Sequence, residues 1–267
     1  MKRARSRLVA GALSLAVVGS AAGGVIAAQA DDSAPTARAA QSQGGVSFTP
    51  ATIETTARKG KIGTFTVKNT TKDTMRVTIT VRPWSQNRGS GQVAMNRKAN
   101  LSPYVVGSPK SFDLKPGSRK VTLKMKRIPR GGSLYGALEV FAKQKKAKAR
   151  NGIVPQWDLV GRLRLNPKSK RPNLKLGSTR VLGRGNNRSL ALEVRNTGNT
   201  LDPVGGTVKI TGPTARNATI PQVGVVPGQV VQLKGGALKG MKGGNYTASW
   251  TVTQGNKRYT ARATFRL

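Results

Sequence analysis

Two copies of one long sequence pattern constrain the fold of this chain more than any other feature. The pattern is a Pro-Gly pair followed, at the same spacing in both copies, by a Gly-x-x-Tyr-x-Ala run. Its members are Pro116, Gly117, Gly132, Tyr135 and Ala137 in the first copy, and Pro227, Gly228, Gly243, Tyr246 and Ala248 in the second. An Asn-Thr step precedes each copy, at Asn69-Thr70 and Asn196-Thr197. A repeated signature of this length predicts two similar modules.

Apolar and polar residues alternate through most of the chain after residue 45. In residues 75–82, Met75, Val77, Ile79 and Val81 alternate with Arg and Thr. The same period of two recurs in residues 120–126, 157–165, 190–194, 246–252 and 259–265. Such a period is typical of strands with one buried face, and Pro-Gly and Asn-Gly turns separate them. The sequence therefore predicts an all-β protein with two tandem immunoglobulin-like antiparallel β-sandwiches.

The order of segments along the chain follows from composition. Residues 1–30 have a basic start, an uncharged stretch and an Ala-Gln-Ala end, which predicts a helical signal peptide and an exported protein. An uncleaved signal anchor is the alternative. Residues 31–45 are rich in Ala, Ser and Gln and are predicted to be a disordered lead-in. The two sandwiches are predicted at 46–166 and 174–267, joined by a proline-bracketed linker at 167–173.

The chain is strongly basic in both predicted modules. It has 47 Lys and Arg residues against 9 Asp and Glu residues, a formal net charge of +38. A charge of this size attracts polyanions, which for an exported protein include wall polymers, acidic polysaccharides, anionic lipids and nucleic acid. The alternative is that the charge only keeps the protein soluble.

Two clusters of cations are the candidate polyanion-binding residues. One falls between two predicted strands, where a protruding hairpin loop is expected, and the other lies in the linker. They are Lys143, Lys145, Lys146, Lys148 and Arg150 in the loop, and Lys168, Lys170 and Arg171 in the linker. Trp84 ends a predicted strand and is a candidate surface aromatic. Trp157 and Trp250 lie on alternating strands and are predicted to be core residues.

The residue types that most enzymes need are missing. The chain contains no Cys and no His, which removes the usual metal ligands, general bases and catalytic triads. After residue 32 its carboxylates are scattered, so paired-carboxylate chemistry is not indicated. We therefore expect no catalytic residues, no metal site and no cofactor.

Several turn and strand segments match one family. They are residues 65–71, 112–117, 129 and 134–140 in the first module, and residues 192–199 and 226–228 in the second. In these segments the first module resembles the N-terminal domain of WxL-interacting cell-surface proteins. The C-terminal module is similar to the immunoglobulin-like domain that follows it in that family. The resemblance implies a chaperone-related sandwich that binds peptidoglycan.

Three functions remain open on this basis. The leading hypothesis is an exported, non-enzymatic cell-surface protein that binds wall polymer, either peptidoglycan or an anionic wall polymer, and another surface protein. The second is a secreted two-domain chaperone of the pilus-assembly type, which acts by β-strand addition. The third is a basic binder of nucleic acid or anionic lipid. Because the first module is longer between its Asn-Thr and Pro-Gly steps, that inserted stretch is where a partner contact is expected.

Overall fold

The structure, a computed structural model, describes residues 44–145 and 155–267, which belong to the compact unit Gln43–Leu267. The predicted signal peptide and residues 31–43 of the predicted lead-in lie outside the described residues. Within the described ranges, no helix is long and apolar enough to cross a membrane. The strands form two β-sandwiches, so the predicted all-β class with two tandem sandwiches is confirmed.

The first sandwich has ten strands in two sheets. They are β1 (Val46–Thr49), β2 (Thr52–Thr56), β3 (Gly60–Asn69), β4 (Met75–Gln86), β5 (Val93–Met95), β6 (Val105–Ser108), β7 (Ser111–Leu114), β8 (Gly117–Met125), β9 (Leu134–Gln144) and β10 (Gln156–Asn166). One sheet has the order β1-β3-β8-β6. The other has the order β2-β10-β9-β4-β5, with β7 also paired to β4. The β2 and β10 strands run parallel, and the other described pairs are antiparallel.

The alternation along β4 shows how the sequence builds this sandwich. Met75 and Val77 are fully buried, whereas Arg76 between them is exposed. Inward residues of the two sheets, among them Phe65 of one sheet and Val140 of the other, join in one apolar core. Complete burial of each such side chain contributes about 1.5–3 kcal/mol. This burial must suffice for stability, because the chain has no Cys and hence no disulfide.

The second sandwich has seven strands. They are β11 (Leu174–Leu182), β12 (Ser189–Asn196), β13 (Pro203–Thr211), β14 (Arg216–Gly224), β15 (Val230–Ala237), β16 (Asn245–Gln254) and β17 (Lys257–Arg266). Its sheets have the orders β11-β12-β15 and β14-β13-β16-β17. Trp250 is 1% exposed at the centre of this core, as its place on an alternating strand predicts. A short 3-10 turn, Gly185–Asn187, separates β11 from β12.

A buried asparagine in each module explains why the Asn-Thr and Pro-Gly steps recur together. Asn196 Nδ2 donates to the carbonyl oxygens of Thr200 at 2.8 Å and Val225 at 2.6 Å. Asn69 Nδ2 donates in the same way to Asp73 at 2.8 Å and Leu114 at 3.0 Å. In each module the second acceptor lies two residues before the repeated proline. One side chain thus ties a strand end to the segment that enters the Pro-Gly turn.

The two repeated tyrosines have different roles. The Tyr246 hydroxyl donates to the Lys242 carbonyl oxygen at 2.6 Å, which is a tyrosine corner within the second module. The Tyr135 hydroxyl is instead 3.2 Å from Asn166 Oδ1 and 3.5 Å from the Asn199 carbonyl oxygen, so it contacts the second module. Burial raises the pKa of Tyr135 above its ordinary value.

The inserted stretch of the first module makes contacts within the chain. Its β4–β5 hairpin reaches the second module, where Gln86 Nε2 donates to the Gly224 carbonyl oxygen at 2.7 Å. The Val226 N–H donates back to Gln86 Oε1 at 3.0 Å, and the Gln232 N–H donates to the Arg88 carbonyl oxygen at 2.7 Å. The last of these bonds reaches β15, an edge strand of the second module, and the other two hold the end of β14 and the segment between β14 and β15.

Candidate functional site

The predicted basic loop is described only at its start. Lys143 lies within β9 rather than in a loop, because β9 continues to Gln144 to pair with the long strand β4. Lys145 donates its N–H to the Thr74 carbonyl oxygen at 2.9 Å, and its ammonium group pairs with Asp113. The Lys145 and Arg76 hydrogen bonds lower the pKa of Asp113. The other three cations, Lys146, Lys148 and Arg150, lie outside the described residues.

The predicted linker cations lie at the other end of β10. Lys168, Lys170 and Arg171 are exposed. Lys170 Nζ is 2.7 Å from Asp202, and the Arg171 N–H donates to Asn199 Oδ1 at 2.7 Å. The eleven residues of β10 span about 35 Å between the two clusters. The structure therefore does not bring Lys143 and Lys145 into one site with the linker cations.

Trp84, the candidate surface aromatic, packs within the first module. Its ring stacks on Tyr135 with centroids 6.4 Å apart and planes 22° apart. The Trp84 side chain is half-buried, and Tyr135 is buried. One face of this indole is thus covered by the chain itself.

The first half of β10 is an open sheet edge. The whole strand pairs with β9, but β2 pairs with β10 only from Arg162 to Asn166. In the part of the chain that the structure describes, no strand pairs with residues 156–161 on the side away from β9. This half is open because β1, which precedes β2, pairs with β3 in the opposite sheet. The chain crosses to β10 only after Ala51, where β2 begins.

The backbone groups that face this open side follow from strand geometry. The N–H and C=O groups of successive strand residues alternate between the two sides of the strand. The Arg162 N–H donates to the Ala51 carbonyl oxygen at 2.7 Å, so even-numbered residues of β10 face away from β9. Gln156, Asp158 and Val160 therefore present their N–H and C=O groups to the open side.

The side chains of the open half are unusual for this chain. Residues 156–161 contain no Lys, Arg or Pro, although the chain has 47 cations. Val160 is 50% exposed on the outer face, the most exposed large apolar residue among those described. Trp157 and Leu159 are half-buried on the inner face and pack against the core. Gly161 leaves room for the Phe48 ring, since a Cβ there would lie 2.7 Å from it.

Several other edges of the two sandwiches carry cations or are short, unlike the open half of β10. Charged residues, proline and short length all discourage pairing between edges. The β17 strand has Arg258, Arg262 and Arg266 exposed, and β11 has Lys175 and Arg180. The β1, β5 and β6 strands have only three or four residues. The open half of β10 is thus a longer edge without cations or proline, and its one charged residue is Asp158.

A chain of ion pairs covers the outer face of the sheet beside this edge. Asp158 Oδ2 is 2.6 Å from Arg97 Nη2, and Arg97 Nη1 is 2.9 Å from Glu139 Oε1 on β9. Glu139 Oε2 is 2.5 Å from Arg82 Nε on β4. Val160 lies directly opposite Glu139 in the β10–β9 register. No group of three or more metal-ligating side chains occurs among the described residues.

This edge is the candidate site that the sequence did not reveal. The alternation in 157–165 predicts one uniform strand, and nothing in it says that β2 covers only half. One local signal was present, because residues 156–161 are a cation-free strand segment in a very basic chain.

No protein-family model matches the sequence, and no curated protein matches it. The fold is similar to solved structures of fimbrial chaperones. The class 5 fimbriae chaperone CfaA has 12% identity and a TM-score of 0.46, over 82% of this chain and 98% of its own. The E. coli chaperone DraB has 12% identity and a TM-score of 0.40, over 84% and 98%. A chain of the Salmonella enterica SafA pilin–SafB chaperone complex has 14% identity and a TM-score of 0.41, over 83% and 96%.

These comparisons correct two predictions. The assignment to the WxL-interacting family was wrong, because no family model matches and the similar structures are fimbrial chaperones. The wall-polymer partner was wrong too, since the similar structures include chaperone complexes with pilin and tip-adhesin subunits.

Proposed function

We propose that this protein is an exported, non-enzymatic chaperone that binds an extended segment of another exported protein by β-strand addition. The binding site is the open half of β10, residues 156–161. The observation that carries the proposal is this long edge, which lacks cations and proline while the β17 and β11 edges carry exposed cations. An edge strand without cations or proline can pair with a strand of another chain.

The backbone sets the length and position of the bound segment. Gln156, Asp158 and Val160 offer the hydrogen-bonding groups, so the partner strand pairs along these residues. It must end near Gly161, because the Arg162 N–H is already bonded to Ala51. Each backbone hydrogen bond contributes about 0.5–1.5 kcal/mol.

The side chains set the kind of segment that fits. Alternate residues of the partner strand lie on the inner face beside Trp157 and Leu159, which pack against the core together with Phe48. The intervening residues lie beside the half-exposed Val160 on the outer face. A segment with apolar residues at every second position, and a further apolar residue between them, therefore fits this edge.

The test is a peptide-binding assay with a proline variant. The probe is a fluorescein-labelled peptide of about eight residues, a typical strand length. It has Val at every second position, one Ile and otherwise Thr between them, and terminal lysines. Val160→Pro removes an N–H that faces the open side and leaves the β9 ladder intact, as proline on an edge strand permits. We expect fluorescence anisotropy to show binding to the wild type and at least tenfold weaker binding to Val160→Pro, a loss of about 1.4 kcal/mol.

Thr260→Pro on the β17 edge is the matched control, and it should bind the peptide as the wild type does. Binding should also slow amide hydrogen exchange at Gln156, Asp158 and Val160. Equal affinity of the wild type and Val160→Pro would contradict the proposal.

A further inference from the structure

The open half of β10 has a single charged side chain, that of Asp158, and this carboxylate is held by Arg97. The pair has an N–O distance of 2.6 Å, with Arg97 60% and Asp158 31% exposed. Asp158 belongs to the three residues whose backbone groups face the open side. Its carboxylate is therefore only a few bonds from the place where a partner strand would pair.

Arg97 is itself fixed by a buried carboxylate. The Glu139 side chain is only 6% exposed and accepts from Arg97 at 2.9 Å and from Arg82 at 2.5 Å. A carboxylate removed from water in this way must keep its partners. Arg82 Nη1 also donates to the Arg97 carbonyl oxygen at 2.9 Å. The guanidinium of Arg97 thus has a defined position above β9, from which it reaches Asp158 on β10.

We propose that Arg97 is a positioning residue that keeps the open half of β10 able to accept a strand. It does so by neutralising Asp158 and by holding its carboxylate over the outer face of the sheet. Without Arg97, an unpaired carboxylate would lie beside the incoming backbone, where its desolvation and its repulsion from carbonyl oxygens oppose pairing. This inference rests on the proposed function and names a residue that controls the same site.

The proposal predicts an unusual relation between two substitutions in the peptide assay. Arg97→Gln should weaken peptide binding roughly fivefold, the scale of one exposed ion pair. Asp158→Asn removes the charge that needs neutralising, so in that background the loss of Arg97 should no longer weaken binding. The double variant should bind like Asp158→Asn. If Arg97 acted only by stabilising the fold, the double variant would bind the peptide no better than Arg97→Gln does.

Two further variants control for folding and for charge. Arg97→Lys keeps a cation beside Glu139, but one ammonium group cannot bridge both carboxylates as the forked guanidinium does. It should fold like the wild type and bind with intermediate affinity. Arg76→Gln breaks a comparably exposed pair with Asp113, at 3.1 Å, away from the edge. It should leave peptide binding unchanged.

The outcomes separate this inference from the proposed function. If Val160→Pro weakens binding but Arg97→Gln and Arg97→Lys bind like the wild type, strand addition stands and the role of Arg97 is overturned. The role is also overturned if the double variant stays as weak as Arg97→Gln. If the wild type binds no peptide, both proposals are wrong.

Discussion

Replacing Asn196 by alanine removes the side chain that ties the end of β12 to the segment before β15. Asn196 is fully buried, and its Nδ2 donates to two carbonyl oxygens, those of Thr200 and Val225. Its Oδ1 accepts from the Gly198 N–H at 2.9 Å. Alanine thus leaves two buried acceptors and one donor without these partners.

The expected cost follows from those three groups. Each unsatisfied buried polar group costs about 1–3 kcal/mol, and Gly198 and its neighbours can relax toward solvent. We expect Asn196→Ala to lower the free energy of unfolding of the second module by about 3–5 kcal/mol. For a module of this size the melting temperature should fall by about 15 °C or more. Asn69→Ala should have a similar effect in the first module, because Asn69 makes the matching bonds.

Urea unfolding followed by tryptophan fluorescence measures this effect. With Trp84→Phe and Trp157→Phe in the background, Trp250 alone reports the second module. Asn217→Ala, an exposed position on β14, is the control and should change the free energy by less than about 0.5 kcal/mol. A cost for Asn196→Ala no larger than that of Asn217→Ala would refute the reasoning.

A pH titration of Asn196→Asp tests the same bonds in a different way. A carboxylate there keeps the acceptor for Gly198 but faces the carbonyl oxygens of Thr200 and Val225. Burial and this repulsion raise the pKa of the new carboxyl in the folded state. Relative to the wild type, the variant should therefore be least destabilised below pH 4 and lose stability as pH rises through the folded pKa.

Three further predictions concern packing, the contact between modules and pH. Gly235→Ala places a Cβ 2.4 Å from the indole of the buried tryptophan of the second module, so urea unfolding should show a loss of about 1–3 kcal/mol. Gln86→Ala removes the acceptor of the Val226 N–H, so amide exchange at Val226 should accelerate while exchange in the Phe65 core stays unchanged. The hydrogen bond from Lys145 is the main cause of the lowered pKa of Asp113. The ionised carboxylate therefore stabilises the fold above the ordinary pKa of 3.8, and this stabilisation is lost as pH falls through the folded pKa. Asp113→Asn should therefore flatten the acid limb of the stability curve.

The sequence predicted the strands well because their signal is local. The alternation in β4 and β16 depends only on which side chains face the core, and both strands occur as expected. Strand ends and pairings depend on distant residues. Lys143 lies in β9 because β4 is long enough to pair with it. The inserted stretch contacts the second module because Gln86 finds backbone partners there, which no local pattern encodes.

The candidate site could not be predicted for the same reason, and the comparison of the two modules shows why. The last strand of each module has alternating side chains and an open side, along half of β10 in the first and along β17 in the second. In the second module that strand carries Arg258, Arg262 and Arg266 on its exposed face. In the first module β2 covers the far half, and the open half has Val160 and an Asp158 neutralised by Arg97. The matching asparagine bonds are shared by the two sandwiches, whereas their last strands differ. The β17 edge carries exposed arginines, whereas the only charge on the open half of β10 is paired with the guanidinium of Arg97, which lies in the inserted stretch.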